Sequence, residues 1–263
     1  MMESNPRILL IGAGKMGGAL LAAWLKAGAG SITVVEPNAS FADSRVTVKR
    51  KLGEVSDIPD VVLLAVKPQS LDMLLPELAT KFSDKPLYLS IAAGKTLSYF
   101  EKHLGDAAIV RAMPNTPALI GKGISAVVAN KNASDAQRQL ATQVLKAAGD
   151  VVWLEDESLM DAVTAVSGSG PAYAFLFMES LIEAAIAQGL PEDIAKKLVV
   201  ETVHGAAELA RKSGESLEQL RKNVTSPGGT TEAALAVFMK NDALKKLIAE
   251  AVRCAVKRSK ELA

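Results

Sequence analysis

Arg7-Ile8-Leu9-Leu10-Ile11-Gly12-Ala13-Gly14-Lys15-Met16-Gly17 is the stretch from which the fold of this chain is read. An apolar strand runs into a glycine turn, and the run Gly18 to Leu25 then carries Leu20, Leu21, Trp24 and Leu25 at helical spacing, with Met16 one turn earlier. In a strand–turn–helix unit the first glycine permits a tight turn, the second leaves bare backbone for a pyrophosphate, and the third lets the helix pack on the sheet. Unpaired N–H groups at the helix start face the anion. Glycine spacing of this kind arises by chance in long sequences, so its context decides. A second strand, Ile32-Thr33-Val34-Val35, follows and ends on Glu36. An acid about 20 residues beyond the turn is where the adenosine ribose of a dinucleotide is held. The stretch predicts a Rossmann-type dinucleotide site; the alternative is a tight βα turn without a ligand.

At 263 residues with 49% hydrophobic content, the chain is long enough for one large domain or two small ones with a sizeable core. A net charge of +1 gives no reason to expect a polyanionic partner, and the basic C-terminal residues alternate with Ile248, Val252 and Val256 as on a solvated helix face. No nucleic-acid partner is expected. The single cysteine, Cys254, lies among small and apolar residues and reads as a buried structural thiol. Two histidines, His103 and His204, are too few and too far apart to predict a metal site. The N-terminus has neither a basic nor an apolar leader pattern, which predicts a cytoplasmic protein.

Beyond Glu36 the pattern alternates. Val46-Thr47-Val48 reads as a short strand, Asp60 to Val66 as a strand buried on both faces, and Leu71 to Phe82 as a helix interrupted by Pro76. Further strands are Leu87 to Ile91, Ala108 to Met113, Ile124 to Ala129 and Val151 to Leu154, with helices Leu97 to Leu104 and Ser134 to Ala148, the latter capped by Ser134. Three strands end in small or proline-containing turns: Ala65-Val66-Lys67-Pro68, Ala92-Ala93-Gly94 and Pro114-Asn115-Thr116-Pro117. Ligands of open α/β sheets bind at the carboxyl ends of the strands, so these turns are expected to share a rim with the glycine turn. After Asp156 the alternation stops and the rest reads as helix. This predicts an α/β Rossmann-type domain over 1–156 and an all-α domain over 157–263.

Pro171 to Leu190 is apolar on nearly all sides for about five turns. Glu179 and Glu183 speak against a membrane span, since two unpaired carboxylates are costly in lipid. A helix apolar all round is a buried one, and this half is too small to surround it alone, so a second subunit is expected to cover it. Two glycine clusters, Ser167-Gly168-Ser169-Gly170-Pro171 and Thr225-Ser226-Pro227-Gly228-Gly229-Thr230-Thr231, read as hydroxyl-rich helix N-termini suited to a small carboxylate. Capping alone also accounts for either.

In order and spacing, the glycine turn, Ala65-Val66-Lys67-Pro68, Ser90-Ile91-Ala92-Ala93-Gly94, Met113-Pro114-Asn115-Thr116-Pro117, Ser167 to Tyr173 and Thr225 to Thr231 resemble pyrroline-5-carboxylate reductases over nearly the whole chain. The resemblance implies an N-terminal Rossmann domain, a helical C-terminal dimerisation domain, dimers often assembled into a ring, and the NADH- or NADPH-dependent reduction of Δ1-pyrroline-5-carboxylate to L-proline. The cofactor site it implies comprises Ile11, Gly12, Ala13, Gly14, Lys15, Met16, Gly17, Glu36, Asn38, Ala65, Val66, Lys67, Pro68, Ala92, Ala93, Gly94, Asn115 and Asn223. Substrate falls to Ser169, Ser226, Gly228, Gly229, Thr230 and Thr231, with Thr231 facing the ring nitrogen as the catalytic residue. The segment Val46 to Leu52 lacks the Asn that many relatives place near the ribose, and Glu36 stands where relatives often have a neutral or basic residue.

Reduction of a cyclic imine requires a hydride, a proton on nitrogen and a grip on the carboxylate. The imine arrives protonated from water, in keeping with glycine-rich motifs that hold no His or paired carboxylates. The expected arrangement has Thr231 bonded to the ring nitrogen, and Ser226 with N–H groups around Gly229 and Thr230 on the carboxylate. A carboxylate at Glu36 repels a 2′-phosphate by about 4 kcal/mol at ~4 Å and an effective dielectric near 20, which favours NADH unless Arg45 or Arg50 compensates. Alternatives are a reductase of another imine or of a hydroxy acid on the same fold, or a non-enzymatic NAD(H) sensor. No lysine follows Gly170 closely to serve a hydroxy acid.

Overall fold

The computed structural model describes residues 5–37, 43–82 and 86–262, and the chain forms two compact units. One runs to Ser169 and takes back the chain from Ala255; the other is Gly170–Cys254.

The first unit is built on eight strands: β1 (Ile8–Ile11), β2 (Ile32–Val35), β3 (Val46–Lys49), β4 (Val61–Leu64), β5 (Leu87–Ser90), β6 (Ile109–Met113), β7 (Gly123–Ala129) and β8 (Gly149–Trp153). They form one sheet of order 3-2-1-4-5-6-7-8. The first six are parallel, in the order of a doubly wound dinucleotide-binding sheet. β7 is antiparallel to β6, because Pro114–Lys122 is shorter than the crossover of about a dozen residues that a parallel neighbour needs.

Alternation along the strands divides the core. Ile8 and Leu10 face Leu20 and Trp24 of α1 (Lys15–Lys26) and Val144 of α4 (Asp135–Lys146). Leu9 and Ile11 face Leu71, Leu75 and Leu78 of α2 (Leu71–Lys81) and Phe100 of α3 (Leu97–Leu104). With both faces covered, the strands read as unbroken apolar runs, and each large side chain so buried contributes about 1.5–3 kcal/mol. Trp24 is wholly buried and donates its indole N–H to the Val144 carbonyl at 2.7 Å. At the start of α4, Ser134 Oγ accepts the Gln137 N–H and Gln137 Oε1 accepts the Ser134 N–H, a reciprocal cap.

Two local expectations need correction. α1 begins at Lys15, directly after its N-cap Gly14, so the last residues of the glycine motif are already helical. α2 runs unbroken through Pro76, which lies on the exposed face while Leu71, Leu75 and Leu78 carry the buried stripe. The carbonyl freed by the missing N–H therefore meets water.

The composition changes at Asp156, yet the compact unit continues to Ser169. Glu157 Oε1 accepts the Leu97 N–H at 2.7 Å, and the Ser259 hydroxyl donates to Asp161 at 2.6 Å, so 157–169 and the chain end are tied to the first unit.

The second unit holds α6 (Gly170–Ala187), α7 (Glu192–Ser213), α8 (Leu217–Asn223), α9 (Thr230–Met239) and most of α10 (Ala243–Leu262). Among its described residues only Ala195 and Val199 are buried. α6 buries none of its side chains, and Phe175, Leu176 and Phe177 are 57%, 62% and 50% exposed, so this chain alone does not cover the apolar helix. Among the described residues one helical run, Glu157–Ala187, is long and apolar enough to cross a membrane by length and composition; its α6 portion carries Glu179 and Glu183. Cys254 corrects another expectation. Within one chain it is exposed on α10, with Sγ 3.5 Å from Glu250 Oε1, so this chain's own core does not bury it.

At the β7–β8 pairing, Gly149 has φ +151°, and a Cβ there would lie 1.9 Å from the Gly123 carbonyl oxygen. Gly149→Ala is expected to destabilise the first unit by about 3 kcal/mol and lower Tm by roughly 5–10 °C in a thermal melt.

Candidate active site

The glycine turn is shaped by what lies against it. Gly12 has φ +90° and donates its N–H to the Val35 carbonyl at 3.0 Å; a Cβ there would sit 2.8 Å from the Ala65 carbonyl oxygen at the exit of β4. A Cβ on Gly17 would meet the Gly12 oxygen at 2.3 Å and Ala65 Cβ at 3.0 Å. Around Gly14 a Cβ would meet no atom within 4 Å, so that glycine borders open space. The first bond of α1 is Gly18 N–H to the Gly14 carbonyl at 2.7 Å, which leaves the N–H groups of Lys15, Met16 and Gly17 without an intrahelical acceptor. Open donors, a helix N-terminus and room beside bare backbone at the β1/β4 switch point fit a pyrophosphate.

A cleft of ≈ 580 Å³ opens there, lined among others by Ile11, Gly12, Gly14, Glu36, Ala65 and Lys67. Glu36, half-buried, accepts the Ala13 N–H on Oε2 at 3.1 Å, which ties the end of β2 to the turn. Arg50 and Lys51 are exposed on the same cleft. Arg45, considered above as a partner for a 2′-phosphate, is engaged by Asp43 on three of its N–H groups and by the Leu25 carbonyl at 2.8 Å. Compensation therefore falls to Arg50 and Lys51. Val66 also lines this cleft, and Pro68 opens a short 3-10 turn after Lys67. Asn38 lies outside the described residues.

Ala92, Ala93 and Gly94 line a second cleft of ≈ 350 Å³ in the same unit, with Arg111, Met113, Glu157 and Thr164. Ser90 Oγ accepts the Ala92 N–H at 3.2 Å, and Gly94 has φ +75°. Beside this turn Lys95 Nζ lies 4.4 Å from the centre of the Tyr99 ring, whose hydroxyl donates to Asp72 at 2.7 Å. Burial and the Asp72 carboxylate push the Tyr99 phenol up to about 12, so it remains a donor. Asn115 is engaged within the fold: Oδ1 accepts the Ile124 N–H at 3.0 Å, and Nδ2 lies 3.4 Å from the Ser167 carbonyl.

The first of the two hydroxyl-rich clusters differs from expectation. Thr164–Gly168 is a π-helical turn within a nearly continuous helical run, and the Ser169 N–H is donated to the Thr164 carbonyl at 2.8 Å. This cluster is therefore no open helix N-terminus, and what it offers a ligand is side-chain hydroxyls such as that of Ser169. A Cβ on Gly168 would lie 2.7 Å from Met113 Cε, the mobile end of a flexible side chain that can move aside.

The second cluster does open a helix. Gly229 is the N-cap of α9, and Gly228 has φ +70°. The Gly229 N–H is donated to the Ser226 carbonyl at 3.0 Å, and the Gly228 N–H to Glu232 Oε2 at 2.7 Å. The first bond of α9 runs from the Ala233 N–H to the Gly229 carbonyl at 3.2 Å, so the N–H groups of Thr230, Thr231 and Glu232 have no intrahelical acceptor; of the pair expected to serve an anion, Thr230 is open and Gly229 is engaged. Ser226 is exposed and Thr231 half-buried. Asn223, at the end of α8, accepts from Gln219 Nε2 at 2.7 Å and donates to Glu215 at 2.9 Å.

Sequence reasoning assigned no role to Arg111 and Glu157, which form an ion pair on the second cleft. The available signal was a lone arginine within the apolar strand Ile109-Val110-Arg111-Ala112-Met113.

A family model described as pyrroline-5-carboxylate reductase dimerisation matches residues 157–262, and one described as NADP oxidoreductase, coenzyme F420-dependent, matches residues 7–94. Over 261 residues the chain is 44% identical to a pyrroline-5-carboxylate reductase of Synechocystis, covering 96% of this chain and 97% of that protein. Its fold is similar to that of a pyrroline-5-carboxylate reductase from Coxiella burnetii, with a TM-score of 0.94 and 38% identity over 99% of both chains. A crystal structure of the Plasmodium falciparum pyrroline carboxylate reductase with NADP bound matches with a TM-score of 0.86 and 31% identity over 98% of both chains.

Gly14 and Gly17 separate binding from folding. Gly14→Ala is expected to keep Tm within about 2 °C while raising the Kd for NADH at least about tenfold, since the added methyl takes ligand space. Gly17→Ala is expected to lower Tm itself. Thermal melts and NADH fluorescence titration on both variants check this.

Proposed function

Since the chain belongs to the pyrroline-5-carboxylate reductase family, we propose that its glycine turn and its Thr225–Thr231 loop divide the work of reducing Δ1-pyrroline-5-carboxylate to L-proline. The protein is an NAD(P)H-dependent oxidoreductase acting on a C=N bond. The observation that carries the division is the open start of α1, where Gly14 borders empty space and the N–H groups of Lys15, Met16 and Gly17 have no intrahelical acceptor.

When bound, the reduced nicotinamide supplies the hydride. Gly12 to Gly17, flanked by Ala65, Val66, Lys67 and Pro68, would hold the pyrophosphate, and Ala92, Ala93 and Gly94 would hold the nicotinamide end. On the second unit, the N–H groups of Thr230 and Thr231 with the Ser226 hydroxyl hold the substrate carboxylate. The Thr231 hydroxyl bonds the ring nitrogen and orients the C=N bond. Because the imine binds already protonated, no side chain must deliver a proton during the hydride step. Asn223 and Ser169 complete the cofactor and substrate sites.

At the adenosine end, Glu36 accepts the ribose hydroxyls and disfavours a 2′-phosphate, while Arg50 and Lys51 on the same cleft soften that preference. NADH is therefore preferred and NADPH accepted. The enzyme is a homo-oligomer, and the uncovered apolar surface of α6 supports burial against a second copy. Association of dimers into a ring and a cytoplasmic location complete the proposal.

Thr231→Ala is expected to lower kcat/KM for the pyrroline substrate about 10- to 100-fold, the scale of one hydrogen bond to a charged group. Its NADH Kd should match wild type; unchanged kcat/KM would remove Thr231 from the site. The wild-type enzyme is expected to show a higher kcat/KM with NADH than with NADPH. Glu36→Ser should move that ratio toward NADPH by about tenfold or more. Both are read from loss of nicotinamide absorbance.

A further inference from the structure

Glu157 touches neither the glycine turn nor the substrate loop, yet its carboxylate joins three elements of the first unit. Oε1 accepts the N–H of Leu97, the first residue of α3, at 2.7 Å, and the same oxygen pairs with Arg111 of β6. Glu157 itself opens the helical run that follows β8. The two side chains are only 12% and 28% exposed, so water and salt screen the pair far less than a surface pair. A carboxylate at the start of α3 satisfies a donor with no partner inside the helix and sits at the positive end of its dipole.

The turn Ala92–Gly94 lies between β5 and α3 and has one tether at each end. Ser90 Oγ holds the Ala92 N–H before it, and Glu157 holds the Leu97 N–H after it. Gly94, at φ +75°, is the swivel between them. The turn, Arg111 and Glu157 line one cleft. Transfer of a hydride between two bound rings is sensitive to displacements of an ångström or less.

We infer that Glu157, oriented by Arg111, is a positioning residue for hydride transfer: by holding the first N–H of α3 it sets the Ala92–Gly94 turn against the nicotinamide. This rests on the reading that this turn holds the nicotinamide end of the cofactor. A plain ion pair would matter through its charge; this role depends on the hydrogen bond to Leu97.

Variants of the full-length enzyme separate the two. Glu157→Ala is expected to lower kcat about tenfold or more with the substrate KM within about twofold of wild type, because the substrate loop is untouched. Glu157→Gln keeps an oxygen for the Leu97 N–H and should stay within about threefold of the wild-type kcat. Leu97→Pro removes that N–H together with the Leu97 side chain, which packs beside the core around Phe100, so Leu97→Ala, which keeps the N–H and should hold wild-type kcat, is its control. Proline suits the first position of a helix, and Thr96, at φ −83° and ψ 162°, already has the conformation required before proline. This variant should lose kcat as Glu157→Ala does. Wild-type kcat in Leu97→Pro, or equal losses in Glu157→Gln and Glu157→Ala, overturns the inference, and either comparison decides if one variant fails to fold. Gly94→Val, strained at its positive φ, tests the underlying reading. Loss of NADH turnover in it, with wild-type kcat in Leu97→Pro, defeats the positioning role alone. Wild-type turnover in both defeats the reading of the turn as well.

Discussion

Everything at the cofactor end depends on one close approach. The turn after β1 lies on the exit of β4 so tightly that neither Gly12 nor Gly17 has room for a Cβ beside Ala65. That contact turns the start of α1 toward the β1/β4 switch point, where the strand order reverses and parallel neighbours leave a crevice. Gly14 needs no such freedom from the protein. Its missing side chain leaves space for a ligand, and the same three-glycine pattern thus serves two different physical demands. The Glu36 carboxylate then fastens the turn to the end of β2 through the Ala13 N–H, which stiffens the turn.

The two units are unequal in how they bury apolar surface. In the first, helices cover both faces of the sheet, and its strands are almost free of exposed side chains. In the second, Ala195 and Val199 are the only buried residues among those described, while Phe175, Leu176 and Phe177 face outward. A helix of this composition is stable in water only against further apolar surface. The Thr225–Thr231 loop at the start of α9 belongs to this unit, whose uncovered apolar surface is left for association with a further copy.

Much of this was legible in the residue order. Strand, glycine turn and helix are local, and Val61 to Leu64, buried on both faces, announces a parallel sheet by its unbroken apolar run. Pro76 was misread because a proline's damage depends on whether its helix face meets water, and periodicity alone does not weigh that. The Ser167–Gly170 cluster looked like a helix start because glycines and serines commonly end one helix and begin another. Here a π-turn carries the helix through them. Cys254 has the neighbours of a core residue but not the core.

The sequence by itself determined the doubly wound domain, its glycine turn, the acid that follows the second strand and the helical second half, because each rests on spacing within a few residues. The backbone conformation of the Thr225–Thr231 loop, which residue order did not reveal, sets which of its N–H groups stay open, since Ser226 and Glu232 claim those of Gly229 and Gly228. Only the tertiary structure decided that Arg111 meets Glu157 and, through it, the start of α3. Arg111 and Glu157 stand 46 positions apart in the chain. Their meeting follows from the stacking order of the strands, and no local pattern of side chains encodes which charged groups the fold will bring within hydrogen-bonding distance.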